Sequence, residues 1–252
     1  TPFEVGVPAE EVSFSTSDGV SLAGWWLDNP DSRSVVICCH GHRGNKADML
    51  GIGPGLWREG HNVLLFDFRG SGDSGNGRQS LAHYEQADLT AALDWVARSH
   101  PRARITVMAF SMGASTAILT AAQDPRIEAL VLDSPFATMS GVIAANYRRY
   151  RLPGRLLLPV ADLVNRIFCG YTFEQVRPID AMRSLSPRPV LLLHGTKDRI
   201  IPYEHAQQLV DAASPGEVEL ITFEGADHCG GYFVDRPGYI ARVARFLETV
   251  LG

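Results

Sequence analysis

Cysteine is scarce in this sequence, cations do not dominate it, and no apolar run in it is long. Four cysteines among 252 residues are too few to frame a chain of this size with disulfides. Cys38 and Cys39 are adjacent in a strand-like run, where neighbours point to opposite faces, so both are expected as buried thiols. The 23 basic residues are outnumbered by 28 acidic ones for a net charge of −5; no global field draws in polyanions, and nucleic acid is not an expected partner. The longest apolar stretch outside the strand candidates, 156–164, is interrupted by Pro159 and Asp162 and falls short of the roughly 18–20 residues of a membrane span. Neither HExxH nor a paired CxxC is present, and His40 with His42 alone does not make a metal site. No metal or organic cofactor is expected. The chain begins at Thr1, which leaves open a removed signal, anchor or tag; a cytoplasmic location is the working expectation. Nothing in the sequence speaks to oligomeric state.

What is present is an ordinary globular composition, 45% hydrophobic, enough to fill a core without staples. The length favours one domain over residues 1–252. Two strands are predicted at the amino end, 12–16 and 22–27, joined through the turn residues Ser17, Asp18 and Gly19. Short continuous apolar runs then mark strands at 35–39, 63–66, 105–110, 129–132, 189–193 and 218–223. Helical stretches near 46–58, 83–99, 112–123, 203–213 and 237–250 alternate with them. This pattern is that of a mostly parallel sheet covered by helices on both faces and opened by an antiparallel hairpin. The alternation lapses over about 135–186, which is predicted to be an inserted lid. Its residues have two readings. Either the apolar ones cover the core and the arginines are solvated, or Tyr147, Tyr150, Leu157 and Phe168 wall an acyl pocket while Arg148, Arg149, Arg151 and Arg155 favour an anionic substrate or a peripheral lipid contact.

Four segments carry chemistry. Strand 105–110 runs through Ala109 and Phe110 into Ser111, Met112, Gly113 and a small-residue helix. A serine at the tip of such a turn is thrust into the open, and small neighbours two residues to either side let strand and helix approach. A serine N-cap would look the same in isolation. A nucleophilic hydroxyl needs a base, and the base an orienting group. Asp198 follows strand 189–193, and His228 lies in a glycine-flanked loop after strand 218–223. All three emerge where parallel strands end, the edge at which such sheets bind ligands. Upstream, strand 35–39 runs into His40, Gly41 and His42. The amides of His42 and Met112 are the candidate donors to an oxyanion. Asp133, which also closes a strand, competes with Asp198 as the acid; Asp227 adjoins His228 but is expected to point elsewhere.

The segments HGHRGN (40–45), FDFRGSGDS (66–74), AFSMGA (109–114), HGTKDRIIP (194–202) and GADH (225–228), in the order Ser, Asp, His, resemble the α/β-hydrolase superfamily from about residue 12 to the carboxyl end. The likeness is strongest to its compact esterases and the neighbouring lipase, peptidase and thioesterase branches. It implies that Ser111 is the nucleophile, His228 the general base and acid, and Asp198 the orienting carboxylate of a carboxylesterase acting on a small or lipid-like ester. A thioesterase or acyl-protein hydrolase, a small peptidase, or a silent binding protein on the same scaffold are the alternatives. Ala109 stands where GxSxG has its first glycine. The literal GxGxxG at 70–75 lacks the direct entry into a helix of a dinucleotide site, so Asp67 and Arg69 are expected to order that loop. Among the remaining histidines, His194 is placed to support the site from a strand end, and His205 is expected on a solvated helix face.

Overall fold

The hairpin at the amino end closes through Thr16, whose amide donates to the Val20 carbonyl at 2.9 Å, with Gly19 supplying the left-handed φ of 84° that the turn requires. In the computed structural model, which describes residues 1–251, the elements follow in the order β1 (Glu10–Ser15), β2 (Ser21–Leu27), β3 (Ser34–Cys39), α1 (Gly53–Arg58), β4 (Asn62–Phe66), α2 (Glu85–Ser99), β5 (Arg104–Phe110), α3 (Met112–Ala121), β6 (Ile127–Asp133), α4 (Met139–Arg149), α5 (Gly154–Cys169), α6 (Pro178–Ala181), β7 (Val190–Gly195), α7 (Glu204–Ala212), β8 (Val218–Phe223), α8 (Gly231–Val234) and α9 (Arg236–Leu251).

The eight strands form one sheet in the order β1-β2-β4-β3-β5-β6-β7-β8. β2 runs antiparallel to β1 and β4, and every later pairing is parallel. Each central strand is buried on both faces, as its unbroken apolar run requires. Val35, Ile37 and Cys39 enter the cluster built with Leu89 and Leu93 of α2 and Ala117 and Ile118 of α3. Val36 and Cys38 enter the opposite one, with Leu56 of α1 and Tyr239, Val243 and Leu247 of α9. The two adjacent cysteines therefore serve opposite cores as free, buried thiols, and burial pushes both well up from the usual thiol range. The polar segment after β4 is held by ion pairs on two buried cations: Arg69 binds buried Asp88 and exposed Asp18, and Lys46 bridges buried Asp67 and exposed Asp73.

Between β6 and β7 the chain leaves the alternation for α4, α5 and α6. Beneath these helices lies a third apolar cluster that includes Phe136, Met139, Val142, Tyr171 and Phe173. Hence α4 is anchored to the body, and its Asn146 side chain also reaches the Ile200 carbonyl, at 3.4 Å. In α5, by contrast, no residue is buried.

Candidate active site

The site begins with an unusual backbone. Ser111, between β5 and α3, has φ 52° and ψ −116°, a conformation that costs an ordinary residue about 1–3 kcal/mol. The strain is held by the surroundings: the Ser111 amide donates to the Asp133 carbonyl at 2.8 Å, and α3 leaves directly beneath β3. A Cβ on Gly113 would lie 2.5 Å from the His40 carbonyl oxygen and 2.8 Å from that of Cys39, so only glycine lets helix and strand approach this closely. Ala109 is itself fully buried.

His228 reaches this hydroxyl from the loop after β8, its Nε2 2.9 Å from Ser111 Oγ. Its Nδ1 lies 2.7 Å from Asp198 Oδ2. Asp198 is fixed in turn, because its Oδ1 accepts the amides of Ile200 at 2.9 Å and Ile201 at 2.8 Å. One carboxylate oxygen is thereby committed to its own loop and the other faces the imidazole, which sets the Nδ1–H tautomer and leaves Nε2 as acceptor for the serine. The structure brings together three side chains distant in sequence, in the order carboxylate, imidazole, hydroxyl. A surface clip joins their loops: Asp227 pairs with Arg199 and its Oδ1 accepts the amides of Arg199 at 3.0 Å and His228 at 2.9 Å.

The competing acid, Asp133, is turned away. Its Oδ2 accepts the Tyr239 hydroxyl at 2.7 Å and its Oδ1 that of Ser134 at 2.8 Å, and burial raises its carboxyl to about 6. His194 donates through Nε2 to the Ile201 carbonyl at 2.9 Å, bracing the loop that carries Asp198. Burial holds its pKa below the ordinary histidine value. His205 departs from the expectation of a solvated face: it is buried, and its Nδ1 accepts the Ala137 amide at 3.1 Å. The reason is the segment after β6, which brings Ala137 and Gly141 against α7 and turns a nominally exposed face inward.

The loop after β3 is ordered by His40, fully buried, which binds the Gly41 carbonyl through Nδ1 at 2.7 Å and accepts the Phe68 amide on Nε2 at 3.0 Å. Gly41 passes so close to the nucleophile that a Cβ there would stand 3.4 Å from Ser111 Cβ. Met112 is the first residue of α3, where backbone N–H groups lack helical acceptors and the helix dipole favours negative charge. Among the described residues, no protein acceptor takes the His42 or Met112 amide.

A cavity of about 430 Å³ opens beside Ser111 and His228. Its walls come from Gly41 and His42, from Met49 and Ile52 ahead of α1, from Cys229 ahead of α8, and from Tyr232 and Phe233 in α8. None of the four lid residues expected to wall an acyl pocket lines it. Tyr150 and Phe168 are instead 66% and 78% exposed, and Leu157 sits on α5, whose broad apolar face turns outward while Leu158, Ala161 and Cys169 pack on the body. The aromatic pair just after the GADH segment was the available signal for the real wall. Cys229 is half-buried, and burial pushes its thiol well up from the usual range, the behaviour of packing rather than of a reactive thiolate.

The comparisons with known proteins agree with this architecture. A family model described as alpha/beta hydrolase fold matches residues 34–157, and one described as TAP-like protein matches 163–250. The uncharacterized Bacillus subtilis protein YqkD is 30% identical over 236 residues, covering 92% of this chain and 77% of that one. The uncharacterized Mycobacterium tuberculosis protein Rv2307c is 32% identical over 248 residues, covering 96% and 81%. The Pyrococcus furiosus esterase Pf2001 superposes with a TM-score of 0.82 at 28% identity, over 100% of this chain and 96% of that one. In its sheet order, its serine turn and its relatives, the chain belongs to the α/β-hydrolase superfamily.

Proposed function

We propose that the protein is a serine carboxylesterase that works through an acyl-enzyme. The observation that carries this reading is the relay from Asp198 through His228 to Ser111, with contacts of 2.7 and 2.9 Å. His228 takes the Ser111 proton as Oγ attacks the ester carbonyl, and Asp198 stabilises the imidazolium that forms. The oxyanion is met by the amides of Met112 and His42, each such donor contributing about 10²- to 10³-fold in kcat where it has been removed from comparable sites. His228 then protonates the departing alcohol. Water, deprotonated by the same imidazole, releases the acid and restores the serine. Side chains and backbone amides carry every step, and the acyl group is held by the apolar cavity beside Ser111 rather than by the lid. The likeness to an esterase at 28% identity supports the ester as substrate class.

A fluorophosphonate probe and a panel of p-nitrophenyl esters, acyl thioesters and aminoacyl amides test the reading together. Wild type should label and turn over the esters, and Ser111→Ala should lose labelling and about a millionfold in kcat. Absence of labelling in wild type supports a silent scaffold. A clear preference for thioesters over matched esters, or turnover of amides alone, moves the assignment to a thioesterase or a peptidase.

A further inference from the structure

Helix α5 packs on the body through a few small or half-buried residues, yet turns its longer apolar stripe away from it. Its inward side is narrow: Leu158, Ala161 and Cys169 pack on the third apolar cluster, Asp162 Oδ1 accepts the Phe173 amide at 2.6 Å, and Asn165 donates to the Tyr171 carbonyl at 2.7 Å. Leu156, Val160, Leu163, Val164, Ile167 and Phe168 recur at intervals of three and four residues, which places them on one face. Every one of them is at least 47% exposed. A stripe of this size turned to water is unusual and marks a surface made to be covered.

The surrounding charges say what covers it. Arg148, Arg149, Arg151, Arg155 and Arg166 lie on or beside the helix, and among the described residues none of the five forms an ion pair. The helix's one acidic residue, Asp162, is turned toward the body. A second copy docked on the same face would set five unpaired arginines against five, an arrangement that repels. An apolar stripe flanked by unpaired arginines matches instead the boundary of an anionic bilayer, where acyl chains receive the stripe and headgroups the cations. The helix lies on such a surface and does not cross it. Among the described residues no single helix is long and apolar enough to span a membrane, and the segment following α5 commits Phe173, Met182 and Leu185 to the protein interior.

We propose that α5 is an interfacial helix that docks the protein onto an anionic lipid surface. The lid that carries it follows β6 and so sits at the same carboxyl edge of the sheet as Ser111, Asp198 and His228. Docking stands apart from the proposed chemistry, so it is tested with Ser111→Ala as well as wild type. Both should co-sediment with vesicles of equal parts phosphatidylglycerol and phosphatidylcholine, bind pure phosphatidylcholine at least about tenfold more weakly, and release as salt screens the arginines. Val160→Asp with Ile167→Asp should reduce partitioning into the mixed vesicles by about 100-fold. Arg151→Glu with Arg155→Glu, which leaves the apolar face intact, should reduce it by about tenfold or more. In both pairs turnover of a soluble short-chain ester should stay within about twofold of wild type, which shows that the fold is intact. Failure of wild type to bind the mixed vesicles overturns the proposal, as does equal binding by both variant pairs. A wild-type dimer that Val160→Asp with Ile167→Asp converts to monomer also overturns it, and assigns the face to self-association.

Discussion

Asp133 and Tyr239 form a closed pair in the interior: the carboxylate at the end of β6 accepts the hydroxyl from α9 at 2.7 Å. This pairing decides which of two strand-end acids serves the imidazole. Tyr239 is itself fully buried, so Asp133 is kept for architecture, and Asp198 alone meets His228. Asp198→Asn should therefore lower kcat about 10⁴-fold on a p-nitrophenyl ester by favouring the wrong imidazole tautomer. Asp133→Asn should leave kcat within about tenfold while lowering the melting temperature, since a buried hydrogen-bond network is disturbed. Equal losses in kcat would remove the distinction.

Gly113 is a second point of commitment. With its virtual Cβ 2.5 Å from the His40 carbonyl oxygen, Gly113→Ala must push α3 away from β3 and carry Ser111 with it. We expect a loss of about 2–4 kcal/mol in stability and a kcat loss of about 100-fold or more, because a misplacement near 1 Å disrupts the attack geometry. Chemical denaturation and ester turnover measure the two. A variant as stable and active as wild type would show that the approach of helix and strand is looser than its geometry implies.

The cavity wall makes a prediction about chain length. Phe233 lines the cavity beside Ser111 yet is 84% exposed, so truncating it should hardly change folding. Phe233→Ala should raise KM for an octanoyl ester by about tenfold, the equivalent of roughly 50 Å² of lost apolar contact, and leave the acetyl ester unaffected. Steady-state kinetics on the two esters, compared with Phe168→Ala, separates the cavity from the lid. Loss of octanoyl preference in Phe168→Ala alone would return the acyl pocket to α5.

Burial of His205 creates a dependence on pH. Desolvation lowers its pKa from 6.5 to about 4, so between those values the unfolded chain takes up a proton that the folded chain refuses. Stability from this group is complete above pH 6.5 and is lost as pH falls toward 4, by up to about 3 kcal/mol. Asp133 works the other way. Its carboxyl, raised from 3.8 to about 6, contributes stability at low pH that is lost as pH rises through that range. His205→Gln retains an acceptor for the Ala137 amide and should flatten the acid side of the stability profile. Urea midpoints at pH 7 and 4.5 check this; an unchanged pH slope in the variant would exclude His205 as the source.

Much of the architecture was legible from residue order because it rests on local rules. Apolar runs of four to six residues, each bounded by turns, report the strands β3 to β7 buried on both faces, and the observed β3 to β8 lie within about two residues of their predicted positions. The Ser111 turn announced itself because strand, small residues and helix are contiguous, and the same contiguity singled out the loops of Asp198 and His228. Residue order alone established a parallel sheet with three chemically apt side chains at one edge. Tertiary structure decided which acid meets the imidazole, which walls enclose the cavity, and which way α5 faces. Those choices rest on contacts between residues far apart in the chain, such as Tyr239 with Asp133 and Phe233 beside Ser111. The periodicity of an amphipathic helix shows that it has an apolar face, but only its packing shows whether that face meets the core or the solvent.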